Sequence, residues 1–309
     1  MNLWSKKNSI ETSLIIEIGA ASVGAALVLH EDQSLPFIIS NARHSVHLDF
    51  EPSLENLESI AENSLKKVLN KVCTPNLSKL QQGPESLKIV VTLSSPFSLT
   101  DQETKFIRRI EDIILSFVGI SEGILIEEFI FVLKKVLDLS FQDARSSTLI
   151  NMTHEKMDFL VVKDRVPTTK LTLPFGSGHI ARRIGQEMQL PIEIAHTYLS
   201  LFPLGVLVEE AGSMLDEILL SVEAEFKEII ATAFENKITE EDLPQMMFIT
   251  GPKNHEKIYK TLFESIFPGK RAIVIGKDNR FTRELVSMNS TSKEDQKLSL
   301  LASFSGLVS

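Results

Sequence analysis

Apolar residues fall along the chain in runs of two alternating kinds. Short β-branched runs at 14–18 and 25–29, separated by Gly19, Ala20, Ala21 and Ser22, predict a hairpin with a tight, small-residue turn. Runs at 37–40 and 45–50 extend that sheet. Ser53 then stands as an N-cap before Leu54, Leu57, Ile60, Ala61, Leu65, Val68, Leu69 and Val72, whose three- and four-residue spacing predicts an amphipathic helix. Pro75, Gly83 and Pro84 mark a loop over 74–86, and 88–93 reads as a strand. Thr100 with Glu103 forms a capping box for a helix carrying Phe106, Ile107, Ile110, Ile113, Ile114 and Phe117. A short strand at 123–126 and an apolar helix over 127–137 complete one α/β unit.

A new unit begins near Arg145. Runs at 148–152 and 159–163 around a short polar turn repeat the plan of the opening hairpin. A third strand at 170–173 leads through Pro174, Phe175, Gly176, Ser177 and Gly178 to a helix with Ile180, Ile184 and Met188 on one side. A short helix at 192–201 follows, then a long one around 205–234 with a continuous apolar stripe. The run 246–250 reads as a buried strand ending at Gly251-Pro252, before a helix carrying Ile258, Leu262, Phe263 and Ile266. A short strand at 272–275, a polar surface loop over 278–295 and a packed helix at 297–308 close the chain.

Composition narrows the class. The 309 residues are 43% hydrophobic and 24% charged, a globular balance with room for about two domains. Thirty-two Lys and Arg against 41 Asp and Glu give a formal charge of −9, which repels phosphate backbones and makes nucleic acid an unexpected partner. Cys73 is the single cysteine, so it has neither a disulfide mate nor a metal-ligand companion. No apolar run reaches the roughly 18 residues of a membrane span, and MNLWSKKNS lacks the apolar core of a signal peptide. A cytoplasmic location is the resulting expectation.

Two hairpins with small or polar turns, and a strand ending in Thr-Gly before a helix, are what a nucleotide cleft between two related domains requires. Backbone N–H groups reach a phosphate only where side chains are small. On these residues the chain resembles the actin-like ATPases of the PilM and FtsA type. LIIEIGAASVGAALV resembles their first phosphate hairpin, and MNLWSKKNS before it is similar to the aromatic and basic leader of PilM-type pilus proteins. TLINMTHEKMDFLVVKDRVPTTKLTLPFGSGHIARRIGQEM resembles the second phosphate hairpin, the strand after it and a Gly-x-x-x-Ile helix. LPIEIAHTYLSLF resembles a helix shared by PilM and FtsA, MMFITGPKNHEKIYKTLF the adenosine motif, and LSLLASFSGLV the closing helix. The matches cover residues 1–30 and 125–309, in order.

The resemblance implies an α/β, actin-like (ribonuclease H-like) two-domain fold with a nucleotide-type cleft between the domains. Residues 1–144, closed by the helix over 295–309, would form one domain, and residues 145–294 the other. It implies ATP and Mg²⁺ as cofactors. Their contacts would be Glu17, Gly19, Ala20 and Ser22 of the first hairpin, Asn151, Thr153 and His154 of the second, Gly176 and Gly178 ahead of the helix, and Thr250 and Gly251 of the adenosine motif. Glu17 would be the metal-side carboxylate, or simply the end of a strand.

Departures from the family pattern bear on activity. Members that hydrolyse ATP carry Asp in both hairpins, where the carboxylates organise Mg²⁺ and its waters; here Glu17 lengthens the arm and Asn151 removes the charge. Thr153-His154-Glu155 replaces Gly-Gly, so Glu155 would push its charge toward the phosphate, and Pro252 replaces the second adenosine-motif glycine and has no N–H to offer. The surrounding residues read as ordinary. His44 and His47 would be strand-face histidines, His154 a solvated turn residue, Asp158 a strand residue with its carboxylate outward, and Arg182 with Arg183 a solvated helix face.

Three functions are compatible with this pattern. The first is a PilM-like cytoplasmic scaffold of a type IV pilus or secretion assembly platform, binding a membrane-anchored assembly protein, with weak or lost ATP hydrolysis. In that family a peptide sits in a small inserted subdomain, which the short span between the strand at 88 and the helix at 127 leaves reduced. The second is an FtsA-like division protein that self-associates into filaments at the membrane, though the sequence ends at Ser309 without the basic amphipathic helix of such chains. The third is a small-molecule kinase, which needs a carboxylate base and intact phosphate loops, and neither is found. The turns of the two hairpins are expected to face one another across the cleft. Trp4, beside Lys6 and Lys7 in the leader, reads either as a docking anchor, with the exposed first-domain surface beside it, or as a local plug.

Overall fold

The computed structural model describes residues 10–31, 34–48, 50–77, 87–97, 104–119, 123–142, 144–235, 237–239, 242–252, 255–275, 287–288 and 295–307. The leader with Trp4 and the Thr100–Glu103 pair lie outside them. Strand β1 (Ile10–Gly19) pairs antiparallel with β2 (Ser22–Glu31), and Gly19 faces Ser22 so that Ala20 and Ala21 alone make the turn. Ala21, the second of the two turn residues, takes a left-handed φ of 58°, the position at which a type II turn has positive φ. The strand β3 (Phe37–Ser45) pairs with β2 and runs on past the first expected run, whereas of the second, 45–50, only Ser45 belongs to it and residues 46–48 are not strand. Its polar middle, residues 40–43, is only half-buried next to the sheet edge, so it extends the strand instead of breaking it.

Helix α1 (Leu54–Val72) is capped by Ser53, whose Oγ accepts from the Asn56 N–H. Strand β4 (Lys88–Leu93) runs parallel to β1; helix α2 (Thr104–Val118), strand β5 (Ile124–Glu128), parallel to β4, and helix α3 (Phe129–Ser140) follow. The second unit repeats the plan. Strands β6 (Ser147–Met152), β7 (Met157–Lys163) and β8 (Val166–Leu173) form an antiparallel meander. Four helices, α4 (Ser177–Met188), α5 (Ile192–Leu201), α6 (Glu209–Phe234) and α7 (Glu256–Ile266), accompany strands β9 (Met246–Thr250) and β10 (Arg271–Val274), which add in parallel beside β6. Strand β11 (Ser287–Met288) returns to the first sheet beside β3, and α8 (Gln296–Leu307) ends the described chain.

The two sheets have matching orders, β3-β2-β1-β4-β5 against β8-β7-β6-β9-β10, with β11 added outside β3. Helices α1 and α2 cover the outer face of the first sheet and α4 to α7 that of the second. Between the sheets lie α3 and α8, packing Leu133, Val136, Leu301 and Phe304 with Ile15 and Val90 on one side and Leu149, Leu160 and Phe248 on the other. This explains why the central strands are continuous apolar runs: both faces are buried, so Ile16 points to one core and Ile15 to another. It also explains why α8 is apolar all round. Among the described residues no single helix is long and apolar enough to cross a membrane.

Candidate functional site

A cleft of about 900 Å³ opens between the sheets, and both hairpin turns line it: Glu17, Gly19, Ala20 and Ser22 from the first, Met152, Thr153 and His154 from the second. The two hairpins therefore belong to different sheets and their turns reach the same cavity. Gly251 and Pro252, at the end of β9, line it as well. Asn151, Gly176, Gly178 and Thr250 lie behind this surface and do not line the cavity.

Glu17 is 1% exposed and is held by cations of this chain. Arg43 Nη1 approaches its Oε2 at 2.6 Å and Lys297 Nζ its Oε1 at 3.3 Å, while Ser94 Oγ donates to Oε1 at 3.0 Å. Burial by itself would raise the carboxyl pKa, but Lys297 and Arg43 outweigh it and hold the group at about 2. Arg43 in turn forks onto Asp295, with contacts of 2.6 and 3.2 Å, and donates to Ser22 Oγ at 2.7 Å. Its guanidinium lies over Gly24, where an added Cβ would fall 2.6 Å from Nη2. Two acids and two bases thus neutralise one another at the first hairpin.

The second hairpin turn is pinned by Thr153, whose Oγ1 donates to the Lys156 carbonyl at 2.8 Å and accepts its N–H at 3.1 Å. Its carbonyls then occupy the N-terminus of α4: Ser177 N–H donates to Thr153 O at 3.1 Å and Gly178 N–H to His154 O at 2.7 Å. Those are the backbone donors that a helix start would otherwise offer to an anion. Gly176 and Gly178 serve this packing. A Cβ at Gly176 would overlap the His154 carbonyl, and one at Gly178 would lie 2.5 Å from Glu155 Oε1. Gly176→Ala is therefore expected to lower stability by about 2–3 kcal/mol, the upper range for overpacking, as read by urea denaturation. A loss under about 0.5 kcal/mol would show that the turn and helix start are free to separate.

Several sequence expectations are corrected here. Glu155 does not push its charge into the cleft; it is buried and forked by Arg182 at 2.9 and 3.0 Å, so Arg182 is no solvated face residue. Asp158 turns inward, 3% exposed, and accepts from Ser95 Oγ and from Thr172 Oγ1 at 2.8 Å. The inward position is tolerated because Ser95, between β4 and α2, brings its hydroxyl and its backbone N–H from the other half to meet the carboxylate. Asn151, its cross-strand partner, donates through Nδ2 to Ser94 Oγ at 3.2 Å and to Asp158 Oδ2 at 3.4 Å, and accepts from Thr250 Oγ1 at 3.2 Å. The second hairpin thus holds two buried carboxylates, Glu155 and Asp158, and an Asp at 151 would face Asp158 as a like charge.

His154 is not a solvated turn residue either. Its ring lies 5.8 Å from that of His196 on α5 and 6.1 Å from that of His47 after β3, and His47 and His196 are 4.1 Å apart. His255, just before α7, sits between Ser200 Oγ at 3.2 Å and Tyr259 OH at 3.0 Å. Burial, with the neighbouring histidines, drives His154 well below the usual imidazole pKa, His196 to about 3 and His255 to about 4. Neutral imidazoles line this wall at neutral pH. The Gly251 backbone packs on the fully buried Tyr259 ring, 2.7 Å from where its Cβ would be.

This donor set does not fit Mg²⁺. Glu17 has two cations on it, and Asp158 spends its oxygens on hydroxyls and an amide. Among the described residues no three His, Cys, Asp or Glu are grouped to hold a metal ion. Little along the chain announces Arg43, Asp295 or Lys297; the one signal is Gly24, an isolated glycine inside a strand, which often marks a close approach. Nothing marked His47, His196 and His255 as neighbours.

No family model matches the sequence, and no curated protein does. Solved structures do match in fold. The PilM-PilN type IV pilus biogenesis complex aligns at TM-score 0.60 and 12% identity over 96% of this chain and 97% of that one. The ethanolamine utilization protein EutJ from Carboxydothermus hydrogenoformans aligns at 0.56 and 12% over 86% and 84%. MreB 5 of Spiroplasma citri bound to AMPPNP aligns at 0.53 and 10% over 85% and 91%. The chain has the α/β fold of the actin-like ATPases, with PilM among its structural likenesses.

Proposed function

We propose that this protein is a PilM-like cytoplasmic scaffold of a type IV pilus or secretion assembly platform, that it binds a membrane-anchored assembly protein, and that its ATP hydrolysis is weak or lost. In this reading residues 1–144 with 295–309 form one domain and 145–294 the other. The observation that carries the loss of hydrolysis is Glu17: the acid at the first phosphate turn is already neutralised by Arg43 and Lys297, so a Mg²⁺ brought there meets two cations before it meets a free carboxylate. Alignment with the PilM-PilN structure over 96% of this chain supports the shared fold on which the scaffold reading rests.

A calorimetric titration with ATP and Mg²⁺, with a turnover assay beside it, tests the first part. No hydrolysis above background is expected, and Asn151→Asp should lower stability without creating turnover, because it sets a second carboxylate against Asp158. Turnover of roughly 1 per second or faster would sink the reading. Sedimentation of the purified chain with and without ATP tests self-association, the property on which an FtsA-like role would depend. A scaffold of the proposed kind stays monomeric or dimeric in both conditions.

A further inference from the structure

The acidic charge of the chain is concentrated on one helix. Within its 26 residues α6 has seven acidic side chains and one lysine, against a net −9 for the whole sequence. Glu223 is paired with Lys227 and Glu225 with His179. Glu209, Glu210, Asp216, Glu217 and Glu228 have no cationic partner among the described residues. The same stretch carries the most exposed large apolar side chains of the second half: Leu204 at 66%, Val206 at 62% and Val208 at 73% lead into α6, and Met214 and Leu220 follow on it. At about 3.6 residues per turn, Glu210, Met214, Glu217 and Leu220 share one face, so acid and apolar groups interleave there.

We propose that residues 204–208 together with this exposed face of α6 form a docking surface for a short, basic, amphipathic segment on the cytoplasmic side of a membrane protein. Isolated exposed apolar residues need no explanation, but a cluster rimmed by one sign of charge fits a partner with the opposite sign around an apolar strip. Cytoplasmic segments next to a membrane span carry an excess of Lys and Arg, which supplies that chemistry. An anionic lipid surface fits poorly: α5 and α6 are apolar enough together to pass a hydropathy test, yet they are bent by 99° and the unpaired acids would be repelled. The class of partner rests on the scaffold reading; the surface itself does not.

The test uses a labelled amphipathic Leu/Lys helix, its Leu/Glu counterpart, and vesicles of phosphatidylcholine with or without phosphatidylglycerol. The full chain should bind the Leu/Lys peptide and not the Leu/Glu one, with binding weakened by salt. Val206→Asp with Val208→Asp, and separately Glu209→Lys with Glu210→Lys, should each weaken it about tenfold or more while the chain stays folded by circular dichroism, even though lysines in the first turn of α6 lower the melting temperature. Asp112→Lys, an exposed acid on α2, should leave binding as it is. Equal loss with Asp112→Lys, no loss with the valine changes, or no peptide binding overturns the proposal, and so does vesicle binding that depends on Val206 and Val208. Cross-linking to native membranes separates the two readings. Capture of the same membrane protein by wild type and variants leaves the scaffold standing and removes this surface; peptide docking at the surface without any captured membrane protein does the reverse.

Discussion

Replacing Arg43 by Met should lower the unfolding free energy by about 3–5 kcal/mol, as for other buried ion pairs stripped of one partner. Arg43 has a carboxylate on each side, Glu17 at 2.6 Å and Asp295 at 2.6 Å, and Glu17 is nearly inaccessible to water. Removing the guanidinium leaves Glu17 with Lys297 and takes from Asp295 the cation it is paired with, and Glu17 cannot be hydrated without opening the cleft. The double substitution Arg43→Met with Glu17→Gln should recover most of the loss, because the residual pair Asp295 and Lys297 is again neutral. Urea melts of the three proteins decide it: a single-variant loss below about 1 kcal/mol, or no recovery in the double variant, would mean that the quartet is not a closed charge balance. The same balance sets an acid limit. Glu17 is held at about 2, below the ordinary 4.5, so the stability it supplies is complete above 4.5 and disappears as pH falls toward 2.

The elements were legible because their burial is two-sided. Residues such as Ile15 and Ile16, or Leu149 and Ile150, face different cores from one strand, which makes the run apolar and easy to read. The repeated hairpin was legible for the same reason, and with it the cleft. What escaped the sequence was contact between distant segments. Arg43 and Asp295 are 252 residues apart, and neither has a local pattern that announces the other. Asp158 lies in a strand of apolar residues, where an acid ordinarily turns outward; Ser95, 63 residues earlier, joins Thr172 and Asn151 in making the inward position tolerable. The histidines follow the same logic, since His47, His154, His196 and His255 come from four separate segments. The residues that define the chemistry of this cleft are those whose partners lie on distant segments of the chain, and local spacing is blind to them.

Those histidines make the fold sensitive to mild acid. His196 titrates at about 3 and His255 at about 4 in the folded chain, against 6.5 for an ordinary imidazole, because burial disfavours the charged ring and His47 stands near both. A lowered base means that the unfolded chain binds protons first as pH falls, so stability is full above 6.5 and drains away from there down to the folded values. Between pH 7 and pH 5 each of the two should cost about 2 kcal/mol, or about 4 kcal/mol together. His154, shifted in the same direction, adds to this loss. None of the carboxyl shifts counters it, since Glu17 lies far below the window. His255 has the more instructive environment: its ring nitrogens meet Ser200 Oγ and Tyr259 OH, and Tyr259 is raised by burial, so no anion is at hand to accept a charged imidazole. Urea denaturation at pH 7, 6 and 5 should show midpoints falling steadily, and His196→Asn with His255→Asn should flatten that dependence while lowering stability at pH 7. A wild-type stability that stays level from pH 7 to pH 5 would mean that the rings of His196 and His255 are open to water in the folded chain.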